Sequence, residues 1–134
     1  MSVGPVERDD ATAEFFDGAA AGRFLLQRCP AGHFSEPAAT QCTTCLATDL
    51  DWVPASGGAT LVSWAISWGR SSPGKEPRRT VLAIGELDEG PWWWTQLAAD
   101  VVPEAAELAP GRRLRIEFQR ADAEHEAVPV FVLA

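Results

Sequence analysis

All three cysteines of the chain and one of its two histidines fall in the segment CPAGHFSEPAATQCTTC, at positions Cys29, His33, Cys42 and Cys45. Cys42 and Cys45 form a C-x-x-C pair, the spacing with which one tight turn presents two thiolates to a tetrahedral metal ion. Cys29 and His33 form the other pair, and Gly32 stands where a second C-x-x-C pair would have its cysteine. Thiolates together with an imidazole suit the closed, redox-inert site of a structural zinc ion. The spacing therefore predicts a zinc site built from these four residues.

Other interpretations of this segment stay open at the level of the sequence. The fourth ligand could be Glu36, Asp49, His125 or water instead of His33, and the segment could be a degenerate ribbon without metal. The cysteines could also be buried apolar residues, or the C-x-x-C could be a redox pair of the thioredoxin type. No βαβ pattern surrounds the C-x-x-C, which disfavours the redox pair. No sequence feature indicates the open pocket that a catalytic zinc needs.

The composition limits the classes of protein that this chain can belong to. Its 134 residues are 46% hydrophobic, which indicates one ordinary globular domain, or two small modules that share a core. The net charge of −8 disfavours a general nucleic-acid binder, which needs a basic face. We see no signal peptide and no apolar run of membrane-spanning length. With an odd number of cysteines, these features predict a protein of the reducing cytoplasm.

The cysteine segment must be positioned by the elements around it. Residues 1–22 are predicted to be a loose tail and a short helix over ATAEFFDGAAA, capped by Asp9 or Asp10 and ended by Gly22. FLLQRC is predicted to be a strand that leads into the first ligand pair, and DLDWVPAS contains a strand fragment around Trp52. Residues 23–56 therefore form the predicted zinc-ribbon module. The proline and glycines of PASGG mark the boundary to the next module.

Residues 57–134 show the period-two alternation of β-strands. In ATLVSWAISW the alternation places Trp64, Ile66 and Trp68 on one face and Leu61 on the other. Further strands are predicted over TVLAIGELD, PWWWTQLA, RRLRIEFQR and VPVFVLA, with a short helix over VVPEAAELAPG between the third and fourth. Five strands with a helix in that position are the layout of the OB-fold, a partly open Greek-key barrel. The predicted fold class is mainly β: an N-terminal helix, a rubredoxin-like zinc ribbon and a five-stranded OB-fold barrel.

This order of elements resembles the acyl-CoA-associated OB-fold family with a rubredoxin-like zinc ribbon, catalogued as domain of unknown function thirty-five. The resemblance is carried by the helix before FLLQRC, the C-x-x-C pair, DLDWVPASGGATLVSW, VLAIGELDEG and the closing PVFVLA. Members of the family usually have two C-x-x-C pairs, so Gly32 is a departure. The resemblance implies a non-catalytic accessory subunit with a structural zinc. Such a subunit binds acyl-CoA and forms a hetero-oligomer with a thiolase-fold enzyme (a thiolase, an acyl-CoA synthase or a steroid side-chain aldolase) or with an acyl-CoA hydratase.

The loop GRSSPGKEPRR concentrates positive charge on an acidic chain. It holds four of the 11 basic residues, namely Arg70, Lys75, Arg78 and Arg79. Arginine and lysine bind phosphate groups through charge-assisted hydrogen bonds, so this loop is a candidate site for the phosphates of CoA. The alternative is a solvated hairpin loop.

The run of Trp92, Trp93 and Trp94 cannot enter one core as a whole. On a strand Trp92 and Trp94 share a face, and Trp93 takes the other. With Phe15 and Phe16 of the predicted helix, these residues are candidates for a protein interface or for a platform that holds the acyl group. The alternative is that they fill core positions.

The sequence offers little catalytic machinery. It has no nucleophile-elbow motif and no phosphate-binding glycine loop, and His125 is expected in a solvated turn. The carboxylates of ELDEG, Glu86, Asp88 and Glu89, are expected to stabilise a turn. Two functions compete with the accessory role: a stand-alone acyl-CoA enzyme that uses zinc or a carboxylate, and an OB module that binds single-stranded nucleic acid by stacking.

Overall fold

The computed structural model describes residues 3, 5–69, 73, 74, 79–98 and 108–134. In this part of the chain one helix, α1 (Ala13–Ala20), precedes eight strands. The strands are β1 (Leu25–Arg28), β2 (Phe34–Ser35), β3 (Asp51–Pro54), β4 (Gly58–Trp68), β5 (Arg79–Leu87), β6 (Trp92–Gln96), β7 (Arg113–Gln119) and β8 (Val128–Leu133). No helix among these residues has the length and apolar character needed to cross a membrane.

The strands form two antiparallel sheets. The ribbon is a three-stranded sheet in the order β2-β1-β3, and the barrel is a five-stranded sheet in the order β6-β5-β4-β7-β8. A parallel bridge between Leu97 and Phe131 joins the two edges and nearly closes the barrel. The predicted mainly β fold class is confirmed. The helix predicted over VVPEAAELAPG falls mostly on residues 99–107, outside the described residues.

The long strand β4 does not keep the uninterrupted alternation that the sequence predicts. Its register with β5 shifts between Leu61 and Ser63, which leaves Val62 as the extra residue of a β-bulge. Because a bulge moves the following residues to the opposite face, Leu61 and Trp64 both pack on the core. Strand β4 can then pair with β5 along its length and with β7 at its first residues, as barrel closure requires.

The helix α1 ends as predicted but begins differently. Gly22, with φ of 78°, ends it in a Schellman motif, in which Gly22 N donates to Ala19 O and Arg23 N donates to Gly18 O. Its N-cap residue is Thr12, which makes no side-chain capping bond. Asp9 instead accepts hydrogen bonds from Thr12 N and Thr12 Oγ1 at 2.9 Å. The predicted cap at Asp9 or Asp10 is therefore wrong, since the Asp9 side chain closes the turn that precedes the helix.

The segment before the helix is tied to the barrel, although the sequence predicts a loose tail. Glu126 N donates a hydrogen bond to Val6 O at 3.0 Å. The Arg8 guanidinium contacts Glu126 Oε2 and Asp17 Oδ1, each at 2.6 Å. Arg8 and Glu126 are more than a hundred residues apart in the chain, so no local pattern could have indicated their contact.

The helix, the ribbon and the barrel share one hydrophobic core. Phe15 of α1, Phe24 at the start of the ribbon and Trp93 of β6 meet there, with ring centroids 5.1 to 5.9 Å apart. Each large apolar side chain buried in this way contributes about 1.5 to 3 kcal/mol. An eight-residue helix is too short to be stable alone, so this packing holds α1 in place.

Candidate functional site

The structure brings Cys29, His33, Cys42 and Cys45 together into one cluster. Their ligand atoms, three Sγ atoms and a ring nitrogen, all lie within 4.8 Å of one another. His33 Nδ1 is 3.4 Å from Cys29 Sγ and 3.7 Å from Cys42 Sγ. The Sγ atoms of Cys29 and Cys45 are 3.7 Å apart, and none of the cysteines is in a disulfide. The group could hold a metal ion.

The geometry of this cluster fits zinc. A tetrahedral site with Zn–S bonds near 2.3 Å and Zn–N bonds near 2.0 Å places its sulfur atoms about 3.8 Å apart, and nitrogen and sulfur about 3.6 Å apart. Three of the six distances between ligand atoms, 3.4 to 3.7 Å, are close to these values, and all six are within 4.8 Å. The donor set, three thiolates and one imidazole, is also one that structural zinc sites use.

The first ligand loop depends on the glycine that replaces a cysteine. Gly32 has φ of 90°, a conformation that favours glycine, and its N–H donates to Cys29 O at 2.9 Å. Compared with a C-x-x-C pair, this turn places one more residue between Cys29 and the second ligand, His33. His33 N then donates to Cys29 Sγ at 3.3 Å, and the ring nitrogen reaches the cluster. The longer side chain of histidine therefore compensates for the changed spacing.

The second ligand loop prepares Cys42 to be a thiolate. Thr44 N and Cys45 N donate to Cys42 Sγ at 3.3 and 3.4 Å. The hydrogen bond from Cys45 N is the main cause that lowers the pKa of the Cys42 thiol to about 6. The turn continues through Leu46, whose φ of 63° is unusual for a residue with a side chain. Strain of this kind persists only where the surrounding structure fixes the backbone.

The other candidates for the fourth ligand do not join the cluster. Glu36, Asp49 and His125 are absent from the group of ligand atoms that the described residues bring together. His125 Nδ1 instead lies 2.7 Å from Asp122 Oδ1 in the loop between β7 and β8. Within the described chain, His33 is therefore the protein ligand that completes the set.

A groove of about 620 Å³ opens between α1, the ribbon loop at residues 37–40, and strands β6 and β8. Its walls are mostly apolar and aromatic and include Phe15, Phe16, Trp52 and Trp93. The Trp93 Nε1 atom is buried and has no hydrogen-bond partner among the described residues. This volume is typical of a small-molecule site, and such sites combine apolar walls with a few polar groups.

Most of this groove has no signal in the sequence, because its walls come from distant segments. Gln27 is 8% exposed, and its amide makes only a long hydrogen bond of 3.5 Å to Pro37 O. On the barrel side, Thr95 Oγ1 donates to Pro129 O at 2.9 Å. Neither residue stands out in the sequence, and only the tertiary contact between ribbon and barrel places both at one groove.

The tryptophans alternate as the strand period predicts. Trp93 is directed to the core, whereas Trp92 and Trp94 lie on the outer face and are 51% and 63% exposed. Phe15 and Phe16 are buried, and their assignment to a protein interface or an acyl platform stays a prediction. They pack beneath the surface because the helix face that carries them is directed toward the core. They also line the groove.

The remaining site predictions concern the two ends of the β4–β5 hairpin. Arg70, Lys75 and Arg78 lie outside the described residues, and Arg79 begins β5. In ELDEG the carboxylates contact segments 25 and 33 residues away in the chain, which the expectation of turn stabilisation did not include. Both Asp88 oxygens accept hydrogen bonds from the Arg113 guanidinium, which lowers the pKa of Asp88, and Glu89 Oε2 accepts one from Ser56 N.

Comparison with known proteins connects this architecture to a family. No protein-family model matches the sequence, and no curated protein matches it significantly. A solved chain described as "Ltp2-ChsH2(DUF35) aldolase" is 27% identical, with a TM-score of 0.74 over 98% of this chain and 98% of that one. A protein of unknown function from the DUF35 family of Sulfolobus solfataricus shares the fold, with 13% identity and a TM-score of 0.61 over 93% of this chain and 86% of its own. The resemblance seen in the sequence is confirmed, and the chain is a structural relative of the DUF35 family.

Proposed function

We propose that this chain is a non-catalytic accessory subunit that docks on a thiolase-fold enzyme and helps to hold its acyl-CoA. The observation that carries the proposal is the match to the Ltp2-ChsH2(DUF35) aldolase over 98% of both chains. The name of that aldolase joins two components, Ltp2 and ChsH2. By analogy the partner is a thiolase, an acyl-CoA synthase or a steroid side-chain aldolase of cytoplasmic lipid metabolism, with an acyl-CoA hydratase as a further candidate.

The surroundings of both histidines and of Asp88 support an accessory role. His33 belongs to the cysteine cluster, and the other histidine, His125, is paired with Asp122. Asp88 is bound through both oxygens by Arg113. A general acid or base needs freedom to exchange a proton with substrate, and these contacts engage each group with the protein itself. They favour an accessory subunit over a stand-alone enzyme.

The cysteine cluster is proposed to hold a structural zinc ion. Four protein ligands complete a tetrahedral shell and leave no open position for substrate. The ion would connect the loop after β1 to the loop before β3, which are otherwise joined by few backbone hydrogen bonds in the described chain. Its role is then to fix the ribbon against α1 and the barrel.

The groove between ribbon and barrel is proposed to accept the acyl group. Its aromatic walls and volume of about 620 Å³ suit an apolar chain. The basic loop predicted to bind CoA phosphates stays a prediction, because Arg70, Lys75 and Arg78 lie outside the described residues.

Co-expression tests the accessory role. The chain is produced alone and together with each acyl-CoA enzyme encoded beside its gene, and each preparation is analysed by size-exclusion chromatography with light scattering. We expect a stable complex with a thiolase-fold enzyme. We also expect the turnover of acyl-CoA to depend on both proteins together.

Two outcomes would contradict the proposal. The first is a chain that stays monomeric and co-elutes with none of these enzymes. The second is turnover of acyl-CoA by the purified chain alone, which would instead support the stand-alone enzyme.

A further inference from the structure

A second cavity, which we call the junction cleft, lies where the ribbon meets the barrel. It has a volume of about 390 Å³ and is lined on the ribbon side by Phe34, Ser35 and Glu36. On the barrel side it is lined by the turn at Glu89 and by the exposed Trp92 and Trp94. It is distinct from the apolar groove, because the two cavities share no lining residue.

Two buried polar atoms of the residues that line this cleft lack a partner in the described chain. Ser35 is 3% exposed, and its hydroxyl has no hydrogen bond. Glu89 is held by one carboxylate oxygen, which accepts a hydrogen bond from Ser56 N at 2.8 Å. Its other oxygen, Oε1, is buried without a partner. A carboxylate on the lining of a cleft is most strongly stabilised by a charged donor, so the cleft favours a cation.

The rest of the lining selects the kind of cation. Glu36 adds a second carboxylate, and no lysine or arginine is among the described residues that line the cleft. Trp92 and Trp94 offer indole rings on the outer face, where Glu86 pairs with Trp92 across the strands. A guanidinium group stacks on aromatic rings and binds a carboxylate, whereas a lysine ammonium is more strongly hydrated. Nearby, the Arg28 guanidinium already lies over the Phe34 ring, 5.6 Å from its centroid.

We propose that the junction cleft receives an arginine side chain of the partner enzyme, which stacks on Trp92 or Trp94 and binds Glu89. This inference rests on the proposed function, because it names the contact through which the accessory subunit recognises its partner. Charge supports it, since the chain carries a net charge of −8 and two of its carboxylates line the cleft. Tryptophan and arginine are also enriched among the residues that dominate binding energy at interfaces.

The test measures the affinity of the complex for matched variants of the full chain. Glu89→Gln keeps one oxygen as an acceptor for Ser56 N and replaces the other, charged oxygen with a neutral NH2 donor. Trp94→Ala removes the stacking surface. We expect each to weaken binding of the co-purified enzyme by at least about tenfold, with a smaller effect of Glu89→Gln at high ionic strength. The controls are Glu124→Gln in the loop between β7 and β8 and Trp68→Ala at the end of β4, which should bind as the wild type does.

A peptide experiment separates failure of this inference from failure of the proposed function. The chain is titrated with acetyl-Gly-Arg-Gly-amide and with the uncharged citrulline analogue, and tryptophan fluorescence is recorded. We expect saturation by the arginine peptide alone, with a Kd of about 1 to 10 mM, and no saturation with Glu89→Gln.

Each outcome either supports or overturns the inference. If the wild type forms a complex, an unchanged affinity of folded Glu89→Gln overturns the inference. If no partner binds, the proposed function fails and the peptide titration tests the cleft by itself. Saturation by the arginine peptide alone supports the inference. An equal response to both peptides, or no response to either, overturns it. Thermal unfolding of every variant establishes that the compared proteins are folded.

Discussion

At the level of single residues, the cysteine cluster shows how the backbone prepares a metal site. Cys42 receives hydrogen bonds from two backbone N–H groups, which lower its pKa to about 6. The pKa of Cys45 is raised: a hydrogen bond from the Ala47 backbone lowers it, but the Cys42 side chain and burial outweigh that bond. Neighbouring thiols are expected to share protons unequally, because adjacent thiolates repel one another. A bound divalent cation removes this repulsion.

The first prediction concerns the ligands of this cluster. Elemental analysis of protein purified without chelator should find about one zinc ion per chain. Because His33 supplies the only nitrogen of the set, His33→Ala should lower zinc affinity by at least about a hundredfold and lower the melting temperature. Competition with a chromogenic chelator measures this affinity.

The matched control for the zinc prediction is His125→Ala, which removes the chain's other histidine outside the cluster. It should leave the zinc content unchanged. Wild-type protein without metal would contradict the prediction. Zinc retained at full affinity by His33→Ala would show that another group is the fourth ligand.

At the level of elements, α1 depends on contacts from both ends of the chain. Its aromatic side packs on Phe24 and Trp93, and its C-terminal turn is closed by Gly22. Arg8 connects Asp17 of the helix to Glu126 in the segment before β8. The helix is therefore fixed by one apolar face and one ionic contact. An eight-residue helix is too short to be stable without such tertiary contacts.

The second prediction follows from the ionic contact of this helix. The hydrogen bond from Arg8 lowers the pKa of Glu126 below its ordinary value of 4.5. Since the folded pKa is the lower one, the contact stabilises the protein fully above pH about 4.5 and is lost as pH falls through the folded pKa. The melting temperature of Glu126→Gln should therefore lie below that of the wild type at neutral pH, and the difference should narrow in acid.

The control for this prediction is Glu124→Gln, which removes one negative charge from the same loop without touching the contact to Arg8. Its melting temperature should stay close to that of the wild type at neutral pH. A difference between Glu126→Gln and the wild type that does not change with pH would contradict the ionic explanation.

At the level of the whole molecule, charge is distributed unevenly over the chain. The chain is acidic, with 19 acidic against 11 basic residues, yet three of the basic residues fall between β4 and β5 and a fourth, Arg79, is the first residue of β5. The exposed aromatic residues Trp92 and Trp94 lie on the outer face of the barrel, on strand β6. The two features suit different ligands, phosphate groups for the loop and a protein surface for the tryptophans.

The third prediction tests the loop. Arg78→Glu together with Arg79→Glu should weaken acyl-CoA binding by about tenfold or more at low ionic strength, alone or in the complex, because like charges repel the CoA phosphates. The effect should shrink at high salt. Titration calorimetry measures it, with Arg115→Glu on β7 as the control charge reversal.

An affinity for acyl-CoA that is unchanged at low salt in the double variant would remove this loop from the binding site. It would leave the groove between ribbon and barrel as the part of the site to test, by comparing acyl-CoA molecules of different chain length.

The sequence by itself determined most of the described elements, because the patterns that specify them are local; the two-residue strand β2 was not among them. The alternation of RRLRIEFQR predicts the burial of Leu114 and Ile116 and the exposure of Arg113, and the structure shows all three. The spacing of Cys29, His33, Cys42 and Cys45 likewise identified the donors that the fold assembles. Local spacing is sufficient there because each ligand pair sits on one tight turn.

Only the tertiary structure decided what these elements form together. The bulge at Val62, the contact between Arg8 and Glu126 and the burial of Phe15 and Phe16 each depend on a partner distant in sequence. The groove and the junction cleft arise for the same reason, since each is lined by ribbon and barrel residues whose approach no periodicity encodes. Sequence patterns report which side of an element is apolar, whereas packing of the whole chain decides which apolar side is covered and by what.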